Sequence, residues 1–197
     1  KAVEAYAKAG ELDPAGKKSK AITEALNDIS GKYLTEGMNE YTLGNLKTSS
    51  LDFENAANAA MTPPSNRLDT TAVYNAGFTA WAYANALAQT DSLAAVAEYR
   101  RAKGFFETCL ANGYYYEGGE VFAKLHDINN KLGDKEAARQ VLETGFQKYP
   151  DSQSILISLI NFYIENNEDP DKLFTLIDAA IANEPNNASL YYVKGNI

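Results

Sequence analysis

The chain has 197 residues with 18 basic against 26 acidic side chains, a formal net charge of −8. That is long enough to bury a core, but it lacks the basic stripe that nucleic acid requires; Lys17, Lys18 and Lys20 are its densest cationic stretch. No apolar run approaches the roughly 18 residues of a membrane-spanning helix, and Cys109 is the only cysteine, so no disulfide joins two residues of this chain.

No stretch alternates with the period of two that marks a strand, so the chain reads as all-α. It opens at Lys1 without an initiator methionine or a signal-peptide pattern, and is expected to be a processed or trimmed piece. Ala2, Tyr6 and Ala9 form a first helical stripe, followed by Pro14. This reads as the second helix of a hairpin whose first helix is missing. Lys18 to Asn45 reads as one long helix, with Ile22, Leu26, Ile29, Tyr33 and Leu34 at steps of three and four. Gly31 and Gly37 lie inside it, each costing about 1 kcal/mol relative to alanine, so each marks a bend or a close approach of another helix. Leu51 to Met61 reads as the return helix. Its stripe is Ser49, Phe53 and Ala56, and Pro63-Pro64 ends it.

Asp69 or Thr70 can cap the next helix, which runs to about Gln89 with Val73, Ala76, Gly77, Ala80 and Ala84 on one face. Its partner covers about Leu93 to Asn112, carries Ala102, Phe106 and Cys109, and closes on Asn112-Gly113. Further hairpins are expected over Glu120 to Tyr149 and Ser152 to Asn183. A last helix starts near Ala188, and the chain stops inside it at Ile197.

A period ties these segments together. Gly133 to Pro150 is an amphipathic helix with Ala138, Leu142, Gly145 and Phe146 on one face. Leu173, Ile177, Ala180 and Pro185 repeat it 35 residues later. The proline lies five residues past the small residue three times: Ala9 to Pro14, Gly145 to Pro150 and Ala180 to Pro185. A period of this size means stacked helical hairpins. The stripe centres Tyr6, Phe53, Phe106, Leu142 and Ile177 are separated by 47, 53, 36 and 35 residues, so the early hairpins are longer. No loop-like segment is long enough to hold the excess, which therefore lies in lengthened helices.

This pattern resembles the tetratricopeptide repeat, which places an aromatic, then Leu-Gly, then an aromatic on its first helix, and Ala, an aromatic and Pro on its second. Tyr33 to Gly37, Val73 to Gly77 and Tyr191 to Gly195 keep the four-residue step to a glycine; Phe122-Leu125-His126 and Leu156-Leu159-Ile160 keep the step without it. The resemblance implies an all-α, right-handed superhelix of about ten antiparallel helices, a single solenoid over 1–197. Residues 1–14 would form a half repeat, 15–64 and 65–114 extended repeats, 115–150 and 151–185 regular-length repeats, and 186–197 a partial one. Small residues (Gly37, Gly77, Ala102, Ala138, Ala180, Gly195) would let the helices pack closely. The long early hairpins and the run Asp69 to Gly77 are similar to repeat proteins of Bacteroidetes, where an export signal is common; this suggests the cell envelope, although no such signal lies in the chain.

The resemblance also implies which residues line the concave groove: Met38 and Tyr41, then Tyr74, Phe78 and Trp81, then Asp127 and Asn130, then Asn161, then Asn196. Tyr74, Phe78 and Trp81 share one helix face. They are expected either to grip the neighbouring hairpin as core or to form an aromatic wall for an extended peptide or helix. The slots that hold lysine in repeats clamping a chaperone's C-terminal carboxylate hold Leu34, Tyr74, Ala123, Ile157 and Tyr192 here, so no such clamp is expected.

Tyr114-Tyr115-Tyr116 stands where other repeats carry a proline. Two of its rings are expected to fill the joint between hairpins, the alternative being an exposed aromatic platform. His126 replaces a small packing residue and reads as core or half-buried, since no Cys, second His or carboxylate pair sits at ligand spacing. Asp127, Asn129 and Lys131 lack the central glycine and terminal glutamate of a calcium loop. Cys109 lies on a packing stripe and reads as a buried, inert thiol. No phosphate loop or catalytic triad can be argued, and Asn187-Ala188-Ser189 is better explained as a helix cap than as a glycosylation acceptor.

The expectation is therefore a protein-interaction scaffold without catalysis, metal or cofactor, binding a protein or peptide segment in its groove. The rival is a cell-envelope protein capturing a small ligand or glycan on the same Tyr, Trp and Asn surface. Self-association through terminal half-repeats is a third expectation.

Overall fold

The structure is a computed structural model that describes residues 1–167 and 169–197. Among the described residues there are ten α-helices and no strand. They are α1 (Ala2–Glu11), α2 (Ser19–Thr42), α3 (Leu46–Met61), α4 (Thr70–Leu87), α5 (Ser92–Ala111), α6 (Glu120–Lys131), α7 (Lys135–Lys148), α8 (Gln153–Glu165), α9 (Pro170–Asn183) and α10 (Ala188–Gly195). A 3-10 turn at Glu117–Gly119 leads into α6. The chain divides into two compact units, Lys1–Asn112 and Gly113–Ile197.

In the first unit α2 pairs with α3 and α4 with α5, while α3 packs on α4 and α1 rests on α2. These hairpins are long because their helices are long: α2 has 24 residues and α5 has 20, against 12 for α6 and 14 for α7. The core of the unit is built from the stripes: Ile22, Leu26, Phe53, Ala56, Val73, Ala76, Ala102 and Phe106 are all buried. Gly37 is a point of close approach between α2 and α3, because a β-carbon there would lie 3.0 Å from the Phe53 ring. Gly77 does the same for α4 and α5, facing Phe105 and Phe106.

Three buried serines tie these helices by donating to backbone carbonyls. Ser49 bonds Gly37 at 2.7 Å, Ser30 bonds Ala56 at 2.9 Å, and Ser50 reaches across to Ala76 at 2.9 Å. They also account for a boundary that differs from the sequence reading. α2 stops at Thr42 rather than Asn45, Gly44 takes a left-handed turn, and α3 begins at Leu46 rather than Leu51. Serine and threonine in the Lys47-Thr48-Ser49-Ser50 run compete with the helix for backbone hydrogen bonds. Here two of those hydroxyls donate to carbonyls of neighbouring helices and the run is helical. On the other side, Arg101 of α5 grips Glu54 of α3 at 2.6 Å and Glu98 at 2.9 Å.

In the second unit α6 pairs with α7 and α8 with α9, α8 touches both α6 and α7, and α10 rests on α9. Val121, Phe122, Leu125, Ile128, Leu142, Ile155, Leu159 and Ile177 form the core. Gly145 lets α7 meet Phe122, whose Cβ would be 2.8 Å from a β-carbon at 145. Gly195 plays no such part: nothing lies within 4 Å of its β-position, because α10 has no helix packed on that side. α10 also ends at Gly195, before Ile197.

Helix starts follow the expected chemistry. Asp69, Asp91 and Asp134 each accept a hydrogen bond from the backbone N–H three residues on, at 3.0–3.1 Å. Asn187 caps α10 through the Ser189 amide. Each such cap is worth about 1 kcal/mol.

Candidate functional site

In the first unit a row of rings runs from the core to the surface. Phe106 lies edge-on to Tyr74 with ring centroids 5.7 Å apart, and Tyr74 stacks on Phe78 at 6.3 Å. Phe78 then meets Tyr41 of α2 at 6.0 Å and Trp81 at 5.8 Å. Exposure follows the same order. Tyr74 is 4 % exposed, Phe78 and Trp81 are half-buried, Tyr41 is 41 % exposed and Met38 is 52 % exposed. Tyr74 therefore belongs to the core and offers no ring to a partner, although it shares a helix face with Phe78 and Trp81. Met38, Tyr41, Phe78 and Trp81 remain as an accessible apolar face on α2 and α4. Rings packed on one another give that face large area at little conformational cost.

In the second unit the candidate polar residues lie on α6 and α8. Asp127 is half-buried; Asn130 and Asn161 are exposed. Ile157 and Ile164 are also exposed, at 39 % and 42 %, and share a face of α8 with Asn161. Ile164 was not singled out by sequence. Its signal is a helix apolar on two sides, since Leu156, Leu159, Ile160 and Tyr163 fill the opposite, buried face.

His126 is half-buried, as its position predicted. Its Nδ1 lies 3.1 Å from the Ala138 carbonyl, its Nε2 lies 3.0 Å from Asn130 Nδ2, and Phe162 meets its ring edge-on. Burial pushes its pKa below the ordinary value, against the Ala138 carbonyl and the carboxylates of Asp127 and Glu165, which favour the cation.

Tyr115 stacks on Phe122 at 5.5 Å and meets Tyr149 edge-on, with the Lys148 ammonium 4.8 Å from its ring centre. Tyr116 is 41 % exposed. A cavity of about 450 Å³, which the sequence did not signal, opens among α7, α8 and α9. Phe146, Leu159, Tyr163 and Leu176 line it, with Glu143 and Lys172 at its polar edge.

Cys109 is buried and its thiol is raised to about 11 by burial. Asp52 is raised by burial and by the nearby Glu36 and Glu40. Among the described residues no group of three His, Cys, Asp or Glu side chains could hold a metal ion, and no helix is long and apolar enough to cross a membrane.

No protein-family model matches the chain, and no curated protein matches it. Among solved structures it is similar to YrrB, a TPR protein with an unusual peptide-binding site, with a TM-score of 0.59 and 20 % identity over 91 % of this chain and 80 % of that one. This chain has the tetratricopeptide-repeat fold. Its repeat signature is met most directly by the pairs Gly37–Phe53 and Gly77–Phe106, where a first-helix glycine receives a second-helix ring. TTC0263, a thermophilic TPR protein in Thermus thermophilus, is also similar, with a TM-score of 0.36 and 18 % identity over 83 % of this chain and 95 % of that one.

Proposed function

We propose that this tetratricopeptide-repeat protein is a non-catalytic interaction scaffold, and that Met38, Tyr41, Phe78 and Trp81 hold an apolar segment of a protein partner. The observation that carries the proposal is the continuous ring row Tyr41–Phe78–Trp81, backed from within by Tyr74. Exposed aromatic area anchored on a rigid core is what binding hot spots are made of. The likeness to YrrB, a protein with a peptide-binding site, supports the same reading. The second unit offers a face of its own under this reading, with Asp127, Asn130 and Asn161 as polar contacts flanked by Ile157 and Ile164.

The test is a selection of displayed random peptides on the full chain, followed by titration of the winners against Trp81→Ala and Met38→Ala. Affinity should fall at least tenfold in the Trp81 variant, with helix content by circular dichroism unchanged. Winners that bind both variants as tightly as the parent would remove this face from the site.

A further inference from the structure

The proposal about His126 starts from its two neighbours. A carbonyl oxygen can only accept, so the ring nitrogen facing Ala138, Nδ1 at 3.1 Å, carries the hydrogen. A neutral imidazole carries one N–H, so Nε2 is then an acceptor. The group 3.0 Å from Nε2 must therefore be a donor, and the amide of Asn130 meets it with Nδ2. The Asn130 oxygen is left at the other end of the amide group, on an exposed residue of α6. The backbone of α7 thus sets the tautomer of a histidine on α6, and the histidine sets the orientation of an asparagine.

We infer that His126 is a positioning residue that holds the Asn130 amide with its oxygen outward, so that this position is offered to a partner segment as a hydrogen-bond acceptor. The role in binding rests on the scaffold reading above; the orientation does not. The chemistry that fits is an N–H donor, a peptide amide or a basic side chain, rather than a carboxylate. Adding a proton to the ring reverses the arrangement. Nε2–H then faces Nδ2–H across 3.0 Å, donor against donor, and the amide must turn about its last bond to present its oxygen to the ring. Asn130 would then offer N–H outward. The charged groups acting on the ring are Asp127 on its own helix and Glu165 on α8, while α7 contributes the neutral Ala138 carbonyl.

His126 is the only histidine in the chain, so its imidazole nitrogens give one unambiguous signal set by NMR. At pH 8 the full chain should show hydrogen on Nδ1 and none on Nε2. Asn130→Asp, which can only accept, should move the histidine titration to higher pH, because its carboxylate favours Nε2–H. A parent ring with hydrogen on Nε2, or a titration that Asn130→Asp leaves in place, overturns the positioning role. The binding half is read separately, with peptides selected on the full chain that lose affinity in Asn161→Ala, a contact within the second unit. Asn130→Ala should weaken their affinity about three- to tenfold, the net worth of one hydrogen bond. Unchanged affinity overturns the acceptor role while leaving the tautomer result and the Trp81 result standing on their own.

Discussion

The ring of Phe53 fills the space that a side chain at Gly37 would need: a β-carbon there would lie 3.0 Å from two ring carbons. Phe53 is itself buried and fixed between helices, so it has little room to give. Gly31, six residues earlier on the same helix, has nothing within 4 Å of its β-position. Alanine in place of either glycine gains helix propensity of about 1 kcal/mol. At Gly31 that gain stands alone, so Gly31→Ala should raise stability by about 0.5–1 kcal/mol. At Gly37 overpacking of about 1–3 kcal/mol outweighs it, so Gly37→Ala should lower stability. Urea denaturation of the two variants must give shifts of opposite sign; shifts of the same sign would refute the close-packing account.

The same packing explains how much was legible in sequence. Small residues recur where helices approach closely, and in the later hairpins the stripe of Leu142 and Gly145 returns 35 residues on as Ile177 and Ala180. What was not legible depends on partners far along the chain. The start of α3 reads as Leu51 although Ser49 is already on its stripe; the bonds that hold Ser49 and Ser50 in the helix, to the carbonyls of Gly37 and Ala76, depend on partners 12 and 26 residues away. Tyr74 and Trp81 occupy the same helix face and read alike. Phe106, 32 residues beyond Tyr74, meets its ring edge-on and Tyr74 is buried, whereas Trp81 stays half-buried. His126 and Asn130 are four apart on a helix, so their contact could be foreseen, but the tautomer depends on Ala138 of the next helix.

That difference between Tyr74 and Trp81 predicts a split between stability and binding. Tyr74→Ala removes a buried ring and should cost about 3–5 kcal/mol. Trp81→Ala and Tyr41→Ala remove half-exposed or exposed rings, so their cost in stability should be smaller while binding of a selected peptide suffers more. Trp81 is the only tryptophan, so its fluorescence reports directly on anything seated against it. A peptide that binds tightly yet leaves Trp81 emission unchanged would show that the ring face is not the contact.

The lowered pKa of His126 has a sign in stability. Burial disfavours its cation, so the unfolded chain, with an ordinary histidine, binds the proton more readily than the folded one. Well above pH 6.5 both forms are neutral and nothing is lost. As pH falls from there towards the lower folded value, protonation favours unfolding, by at most about 1.4 kcal/mol for each pH unit between the two values. His126→Gln keeps a donor for the Ala138 carbonyl without a titrating group. The parent's stability relative to that variant should therefore be lower at about pH 5.5 than at about pH 7.5, measured by urea denaturation. A difference that grows on acidification would mean that Asp127 and Glu165 hold the ring as a cation.

Cys109 offers a check on how firmly the first unit is closed. Its side chain is 1 % exposed on the packing face of α5, and burial raises the thiol to about 11, so at pH 8 only a very small fraction is thiolate. Thiolate is the reactive form, and a disulfide reagent must also reach it. Both conditions fail in the folded chain, whereas the unfolded chain exposes a thiol of ordinary acidity, pKa about 8.5. Native protein should thus react with dithiobis-nitrobenzoate at least about a hundredfold more slowly than protein in urea. The native rate should rise in Gly37→Ala, if the strain at Phe53 loosens the hairpins that cover α5, and stay near the parent's in Gly31→Ala. Fast labelling of the parent under native conditions would mean that α5 opens without global unfolding, and that the first unit is held less tightly than its buried rings imply.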